Sequence, residues 1–241
     1  IKGDTRHIEE LSVAFKNIHT VIHLAELVGD PLCSLNPEKT YEINYLATNL
    51  IITLCKKFFV EKFIYVSSCS VYGKNKNKKL LSENSEINPL SIYAKLKLNI
   101  EEAIIENTDP NFNYTILRLG TVYGKSYRPR FDLVINLFSG LSAMNKAISI
   151  NSGNQWRPFV HVKDVARSIL FVLKSSKKTN KEIFNVISEN CTIAELSNKI
   201  KKHNKNLKIK NNTHAIDKRD YKVSAKKINK TLRFKPKFNI N

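Results

Sequence analysis

Short apolar runs alternate along the chain with segments whose apolar residues recur at the spacing of an amphipathic helix. The short runs are rich in β-branched and aromatic residues, which is typical of strands buried on both faces. Strands are predicted at 20–25, 63–66, 113–119 and 182–187. Helices are predicted at 8–18, 38–58 and 163–173, with others that begin at Tyr93, at Arg130 and at the capping box Thr192–Glu195. This alternation predicts an α/β chain with a parallel sheet.

One segment departs from the alternation of strands and helices. Residues 147–150 and 155–162 are both extended in pattern, and the polar residues 151–154 between them include Gly153. Two extended segments joined by a short glycine-containing turn predict a hairpin-like pair of strands.

Polar residues end the second predicted strand, and a helix carrying a tyrosine and a lysine follows it. The apolar run 63–66 continues into the hydroxyl-rich stretch Ser67–Gly73, and in an open α/β sheet such a strand end is where ligands bind. Tyr93 and Lys97 are four residues apart, so on a helix they share one face. A lysine ammonium favours the phenolate and lowers a tyrosine pKa from about 10 toward neutrality. Tyr93 would then act as a general base.

The spacing Tyr-x-x-x-Lys by itself arises by chance on many solvated helices, so its meaning depends on the serine-ended strand before it. Together, Ser67–Gly73 and Tyr93–Lys97 resemble the extended short-chain dehydrogenase/reductases, in particular the nucleotide-sugar epimerase/dehydratase family that includes UDP-glucose 4-epimerase. The resemblance implies a catalytic set of Ser68, Tyr93 and Lys97. It also implies NAD or NADP as the cofactor and hydride transfer at a sugar carbon.

The same resemblance implies further cofactor contacts. Asp4 and Thr5 match a segment that lines the adenine pocket in the family, and Leu24 and Ala25 match the end of the following strand. Asn44 matches an asparagine that helps to order the catalytic tyrosine, and Tyr93 and Lys97 complete the set. We expect His23, within that strand, to be a packed core histidine.

Substrate contacts are implied at Cys69, Arg157 and Arg219, of which the two arginines match residues that hold the diphosphate of a nucleotide-diphosphate sugar. Asp132 falls near the sequence position at which the family frequently has an asparagine that contacts the substrate. Family members that are 4,6-dehydratases carry an Asp-Glu pair where this chain has Cys69 and Ser70. The missing carboxylates favour epimerisation or keto reduction over loss of water.

The resemblance also predicts the domain organisation. Residues 1–120 would be the remainder of a Rossmann-like dinucleotide-binding domain that lacks its N-terminal glycine-rich turn, since no such motif occurs in the sequence. Residues 121–241 would form mainly a small α+β substrate lobe, with 157–187 partly returning to the sheet. A homodimer is expected.

Charge and cysteine content bear on partners and location. The formal net charge is +19, and residues 201–241 supply +12 of it through 12 Lys and 2 Arg against Asp217 and Asp220. Aromatic residues that could stack on bases are sparse there, which favours a solvated basic surface over a nucleic-acid site. No run of about 18 apolar residues occurs, so no membrane span is predicted.

The cysteines show no C-x-x-C spacing, which favours buried free thiols in a reducing cytoplasm over disulfides or a metal site. These residues are Cys33, Cys55, Cys69 and Cys191.

Two other functions remain open at this point. A reductase or isomerase of the same superfamily that acts on a non-nucleotide substrate, such as a steroid or flavonoid, would keep Tyr93 and Lys97 without needing Arg157 and Arg219. A truncated, non-catalytic remnant that binds a nucleotide or RNA would keep only the fold.

Overall fold

A computed structural model describes residues 2–75, 79–107, 109–212 and 219–240. Asp217, counted above with the basic tail, lies outside these residues. The chain divides into two compact units, each assembled from separate stretches. The first unit is Ile1–Val71, Pro89–Arg118 and Val172–Phe184, and the second is Tyr72–Asn88, Leu119–Phe171 and Asn185–Asn241.

Helices lie at most of the positions that the apolar spacing predicts. A π-helical stretch, Tyr41–Leu46, interrupts the helix predicted over 38–58. The α-helices are α1 Ile8–Ala14, α2 Asp30–Leu35, α3 Pro37–Thr40, α4 Ala47–Lys57, α5 Ile92–Ile105, α6 Val134–Ala143, α7 Val162–Lys174, α8 Ser176–Thr179, α9 Ile193–His203 and α10 Lys226–Leu232.

The four predicted buried strands all form. The strands are β1 Thr20–His23, β2 Lys62–Ser68, β3 Leu80–Leu81, β4 Tyr114–Leu119, β5 Thr121–Tyr123, β6 Ile148–Asn151, β7 Trp156–His161, β8 Glu182–Val186, β9 Glu189–Thr192, β10 Ile209–Asn212 and β11 Lys222–Val223. The four predicted strands share one parallel sheet in the order β1-β2-β4-β8. The shorter strands make three small sheets, β11-β3, β10-β6 and β5-β7-β9.

The core of the first unit forms where α4 and α5 cover the sheet. All residues of β4 are buried, as expected for a strand covered on both faces. The buried members of this core are Phe15, Ile51, Ile52, Leu54, Cys55, Val60, Phe63, Tyr65, Ile100, Ile104, Phe112, Tyr114 and Ile116. A sheet covered by helices is therefore the scaffold that carries the end of β2.

The second unit has its own core between α6, α9 and the small sheets. Its buried members are Tyr123, Ile135, Phe138, Ile148, Ile150, Phe159, Cys191, Leu196, Ile200 and Leu207. Helix α6 begins at Val134, four residues after the predicted start at Arg130. The Arg130 side chain instead pairs with Asp132, and the Arg130 carbonyl accepts a hydrogen bond from Asn136 Nδ2.

The predicted hairpin of residues 147–150 and 155–162 is wrong. Strand β6 pairs in parallel with β10, Ile148 opposite Ile209, whereas β7 pairs with β5 in parallel and with β9 in antiparallel orientation. The turn does form, with Gly153 at φ 76°, but its carbonyl accepts a hydrogen bond from Ala194 at the start of α9. The two segments were predicted to pair because they are close in sequence. In the structure each pairs instead with strands that are distant from it in sequence.

Within the residues that the structure describes, no helix combines the length and the apolar character needed to cross a bilayer.

Candidate active site

The end of β2 forms the first part of the site. Ser68 is the last residue of the strand and is half-buried, and a 3-10 turn, Cys69–Tyr72, follows it. The Ser68 hydroxyl oxygen accepts a hydrogen bond from the Ser70 backbone N–H at 3.1 Å. The turn thereby orients the Ser68 hydroxyl at the carboxyl end of a parallel strand, where α/β sheets bind ligands.

Helix α5 supplies the second part. Ser91 caps its N-terminus, because the serine hydroxyl accepts the Ala94 N–H at 3.1 Å. Tyr93 lies half-buried in the first turn, and Lys97, one turn later, is buried. Lys97 Nζ lies 5.8 Å from the centre of the Tyr93 ring and donates a hydrogen bond to the Val66 carbonyl at 2.6 Å. The structure therefore brings the predicted Tyr93–Lys97 pair to β2, two residues from Ser68.

A buried acid, Glu26, contacts the same lysine. Glu26 Oε2 lies 2.7 Å from Lys97 Nζ, and the ring centre of Tyr65 lies 4.7 Å from that nitrogen. Burial alone would lower the pKa of Lys97, but the carboxylate of Glu26, with a smaller effect of Tyr93, raises it. Burial, reinforced by Glu26, raises the pKa of the Tyr65 phenol well above its usual value.

Glu26 belongs to none of the sequence motifs that predict the site. The available signal was a carboxylate immediately after the strand-end residues Leu24 and Ala25, in an otherwise apolar run.

A second buried ion pair connects α5, which carries Tyr93 and Lys97, to the sheet. Arg118 on β4 donates to both carboxylate oxygens of Glu101 on α5, with Arg118 Nη2 2.6 Å from Oε2. Ser67 donates to the other oxygen, Oε1. Glu101 lies one turn after Lys97 on the buried face of α5, so this network fixes the helix against the strand that ends in Ser68.

Four of the predicted cofactor residues lie in the part of the chain that precedes α2. Leu24 and Ala25 are exposed just beyond the end of β1, which pairs directly with β2, and their role in binding the cofactor stays a prediction. Asp4 lies next to Thr5 and is held in a two-point ion pair with Arg6, whose Nη2 is 2.6 Å from Asp4 Oδ2. The Arg6 guanidinium and backbone N–H hold the pKa of Asp4 far below its usual range.

Asn44 lies in the π-helical stretch and is buried. Its side-chain oxygen accepts the Leu27 N–H and its amide nitrogen donates to the Leu27 carbonyl, both at 2.8 Å. The asparagine therefore fixes the loop that carries Glu26. Its predicted role in ordering the tyrosine and cofactor stays a prediction.

The predicted substrate residues Arg157 and Arg219 are close together in the second unit. Arg157 Nη1 donates to the Arg219 carbonyl and, at 2.8 Å, to the Trp156 carbonyl, and its guanidinium lies 5.7 Å from the Tyr221 ring. Asp220 accepts the Trp156 N–H at 2.9 Å, which joins the two segments across 64 residues of sequence.

Cys69 and Asp132 make internal contacts. The Cys69 thiol is buried and donates to the Arg118 carbonyl at 3.3 Å. Arg130 holds the pKa of Asp132 below its usual value. The substrate role of Cys69 stays a prediction. All four cysteines, each within the described residues, are buried, as predicted, and none forms a disulfide.

Both strand histidines pack against aromatic rings. His23 is buried, as expected, and stacks on Phe63 and Tyr65. His161 stacks on Phe238 with ring centres 4.5 Å apart. The His161 ring also leaves no room for a Cβ at Gly124, whose φ is 112°.

Among the described residues, no group of three or more His, Cys, Asp or Glu side chains could hold a metal ion.

A cavity of about 1000 Å³ lies within the second unit. Its described lining comes mainly from the segment 123–131, from α6 and from the C-terminal segment 238–240. None of the predicted catalytic, cofactor or substrate residues is among those lining residues. The predicted catalytic residues instead gather in the first unit.

Comparison with known proteins identifies relatives of this chain. A Methanocaldococcus jannaschii protein with the provisional name UDP-glucose 4-epimerase is 36% identical over 165 residues, which are 67% of this chain and 54% of that protein. Human dTDP-D-glucose 4,6-dehydratase is 31% identical over 190 residues, which are 77% of this chain and 53% of that enzyme. The chain thus spans about half the length of the curated relatives it matches.

A solved structure superposes on almost the whole of this chain. MoeE5, solved in complex with UDP-glucose and NAD, superposes with a TM-score of 0.87 at 26% identity, covering 99% of this chain and 80% of that one. The family model for the NAD dependent epimerase/dehydratase family matches residues 1–186. This chain belongs to the NAD-dependent epimerase/dehydratase family.

Proposed function

We propose that this chain carries the catalytic and substrate-binding part of an NAD(P)-dependent nucleotide-sugar epimerase or ketoreductase, with Tyr93 as the base. The observation that carries the proposal is the position of Lys97. Its ammonium is fixed to the end of β2 beside Ser68 while it lies 5.8 Å from the Tyr93 ring. A tyrosine, a lysine and a serine arranged in this way suit proton removal from a hydroxyl group.

Each residue has a separate part in that chemistry. The Tyr93 oxygen takes the proton of a sugar hydroxyl, and the positive charge of Lys97 favours the phenolate that does so. The Ser68 hydroxyl donates a hydrogen bond to the same sugar oxygen as it becomes a carbonyl. Leu24, Ala25 and Lys97 would hold the nicotinamide nucleotide. NAD, when bound, supplies the hydride acceptor.

A nucleotide-diphosphate sugar is the proposed substrate class. Arg157 is fixed by two backbone carbonyls, one of them that of Arg219, so its planar guanidinium is preorganised for diphosphate oxygens. Cys69 and Ser70 supply no carboxylate for elimination, which supports epimerisation or keto reduction over dehydration. We also propose a homodimer, and no nucleic-acid partner.

The test is Tyr93→Phe in the protein as its gene encodes it, with NAD and UDP-glucose as probes. Hydride transfer should fall by about 10²–10⁴-fold, the range for losing a general base, while UDP-glucose binding stays unchanged because only one oxygen is removed. Tyr41→Phe, which removes the same atom from a partly exposed ring in the π-helical stretch, is the matched control. Parent-level turnover by Tyr93→Phe would contradict the proposal.

The same assay separates nucleotide sugars from other substrates. Arg157→Ala should raise the Michaelis constant for UDP-glucose more than it lowers turnover, since it removes a ground-state contact with the diphosphate. Unchanged kinetics in Arg157→Ala, with Tyr93→Phe still inactive, would favour the non-nucleotide reductase.

A further inference from the structure

Glu26 is a buried carboxylate that the proposed chemistry does not use. It lies in the loop after β1, three residues beyond His23, and its side chain is only 2% exposed. Its one ion pair among the described residues is with Lys97, whose side chain is 5% exposed. A charge buried to this degree needs a partner of opposite sign, so the two side chains depend on each other.

Three elements enclose the Lys97 ammonium. The loop after β1 contributes the Glu26 carboxylate at 2.7 Å, and β2 contributes the Val66 carbonyl at 2.6 Å and the Tyr65 ring at 4.7 Å. Helix α5 contributes Tyr93, with its ring 5.8 Å away. These contacts place the ammonium at one point between the strand end and the tyrosine.

The other titratable groups around this point leave Glu26 as the counter-ion. Glu101, on α5, is already held by Arg118. Burial, with a smaller effect of Lys97, lowers the pKa of His23 on β1 to about 4, so its imidazole is neutral at pH 7. Burial, with smaller effects of Asp30 and Glu26, raises the pKa of the Cys33 thiol on α2 to about 11, so this group is neutral too.

We propose that Glu26 is a positioning residue of the active site, whose carboxylate keeps Lys97 charged and holds its ammonium beside Tyr93. The inference rests on the proposed function for its meaning in catalysis. What it states about the charge and position of the Lys97 ammonium can be measured without an activity assay. A lysine buried to the same depth without this carboxylate would lose its proton more easily, and Tyr93 would lose the positive charge that favours its phenolate.

The test follows Lys97 directly in the 241-residue chain. Lysine side chains are labelled with ¹³C, and the Lys97 resonance is assigned by its absence in Lys97→Met. In the parent, Lys97 should titrate above the usual lysine value of about 10.4. In Glu26→Gln, which keeps the shape and removes the charge, the midpoint should fall by at least ~1 pH unit. Glu26→Asp should restore part of the shift.

Glu189→Gln is the matched control, because Glu189 pairs with Lys199 at the same distance of 2.7 Å within the second unit. It should leave the Lys97 midpoint unchanged. In the gene-encoded protein, Glu26→Gln should move the alkaline limb of the pH–rate profile down by the same interval. A residue that only supports the fold would move neither midpoint nor limb.

Two results would overturn the inference. One is that Lys97 of the parent chain titrates below the usual lysine value. This measurement does not depend on whether any variant folds. The other is a folded Glu26→Gln chain whose Lys97 midpoint equals that of the parent. If Glu26→Gln does not fold, Glu26→Asp provides the test. The shorter aspartate side chain leaves the carboxylate farther from the Lys97 ammonium, so the Lys97 midpoint must fall below that of the parent. Either failure leaves the Tyr93→Phe result standing, so it is distinct from failure of the proposed function.

Discussion

The imidazole of His23 lies against the rings of Phe63 and Tyr65, with centres 6.3 and 6.2 Å away. Its Nε2 is 2.8 Å from the Thr48 hydroxyl oxygen, and that hydroxyl donates its own hydrogen to the Asn44 carbonyl. The Thr48 oxygen can therefore only accept, which places the ring hydrogen on Nε2. Burial lowers the pKa of His23 to about 4, because it disfavours the charged imidazole. The positive charge of Lys97 has a smaller effect in the same direction, because it repels a protonated ring.

This histidine should make stability depend on pH. Above pH 6.5 His23 is neutral in the folded and unfolded chains, and its contribution is fully present. As the pH falls from 6.5 toward 4, the unfolded chain binds a proton that the folded chain does not, so the free energy of unfolding falls by about 1.4 kcal/mol per unit. The total loss should be about 3 kcal/mol by pH 4. Urea unfolding at several pH values measures it.

The variant His23→Gln should flatten this dependence, because it removes the group that titrates. His19→Gln, at an exposed position one residue before β1, should keep the parent slope. Equal slopes in the parent and in His23→Gln would mean that other groups carry the acid sensitivity.

At the scale of elements, helix α9 shows how local chemistry sets a boundary. The Thr192 hydroxyl accepts the Glu195 N–H at 3.1 Å, and the Glu195 carboxylate accepts the Thr192 N–H at 2.8 Å. The hydrogen bond from the Thr192 backbone lowers the pKa of Glu195. Both bonds join residues three apart in sequence, so the capping box was predictable without any knowledge of the fold.

Removing this cap should cost a measurable amount. Thr192→Ala leaves the Glu195 N–H without its acceptor and should lower the free energy of unfolding by about 1 kcal/mol, read from the urea midpoint. Glu195→Gln should cost less, because an amide oxygen can still accept the Thr192 N–H.

Thr53→Ala provides the control for the cap. Thr53 is an exposed residue within α4 whose hydroxyl donates to the Asn49 carbonyl, so no helix N–H loses its acceptor. A Thr192→Ala chain as stable as Thr53→Ala would show that the box does not stabilise α9.

At the scale of the whole molecule, charges are distributed unevenly between the surface and the interior. The chain carries a net charge of +19, yet Glu101 and Arg118 are an ion pair with side chains only 0% and 3% exposed. This pair joins α5 to β4, two layers of the first unit, and it receives a further hydrogen bond from Ser67. Its loss should therefore be felt by the unit as a whole.

Breaking this pair from one side should destabilise the protein strongly. Arg118→Met leaves the Glu101 carboxylate buried without a counter-ion and should lower the free energy of unfolding by about 3–5 kcal/mol. The double variant Arg118→Met/Glu101→Leu should recover most of that loss, because apolar side chains can replace a buried pair. Urea unfolding measures both, and a double variant no more stable than the single one would contradict this account.

Local sequence was enough to predict several features of this protein. The buried strands, the cap of α9 and the placing of Tyr93 and Lys97 on one face of α5 all depend on residues within a few positions of one another. Strand and helix periodicities act over that range, so the apolar pattern specifies them. The motifs around Ser68 and Tyr93 likewise identified the family that the comparison confirms.

Tertiary structure alone decided which distant segments meet. Strand β6 pairs with β10 rather than with β7, Glu26 reaches Lys97, and Arg157 bonds the carbonyl of Arg219 62 residues away. A strand edge offers the same hydrogen-bonding groups to any partner, and a carboxylate attracts any cation. The choice among partners comes from the free energy of packing the whole unit, which no short stretch of sequence contains.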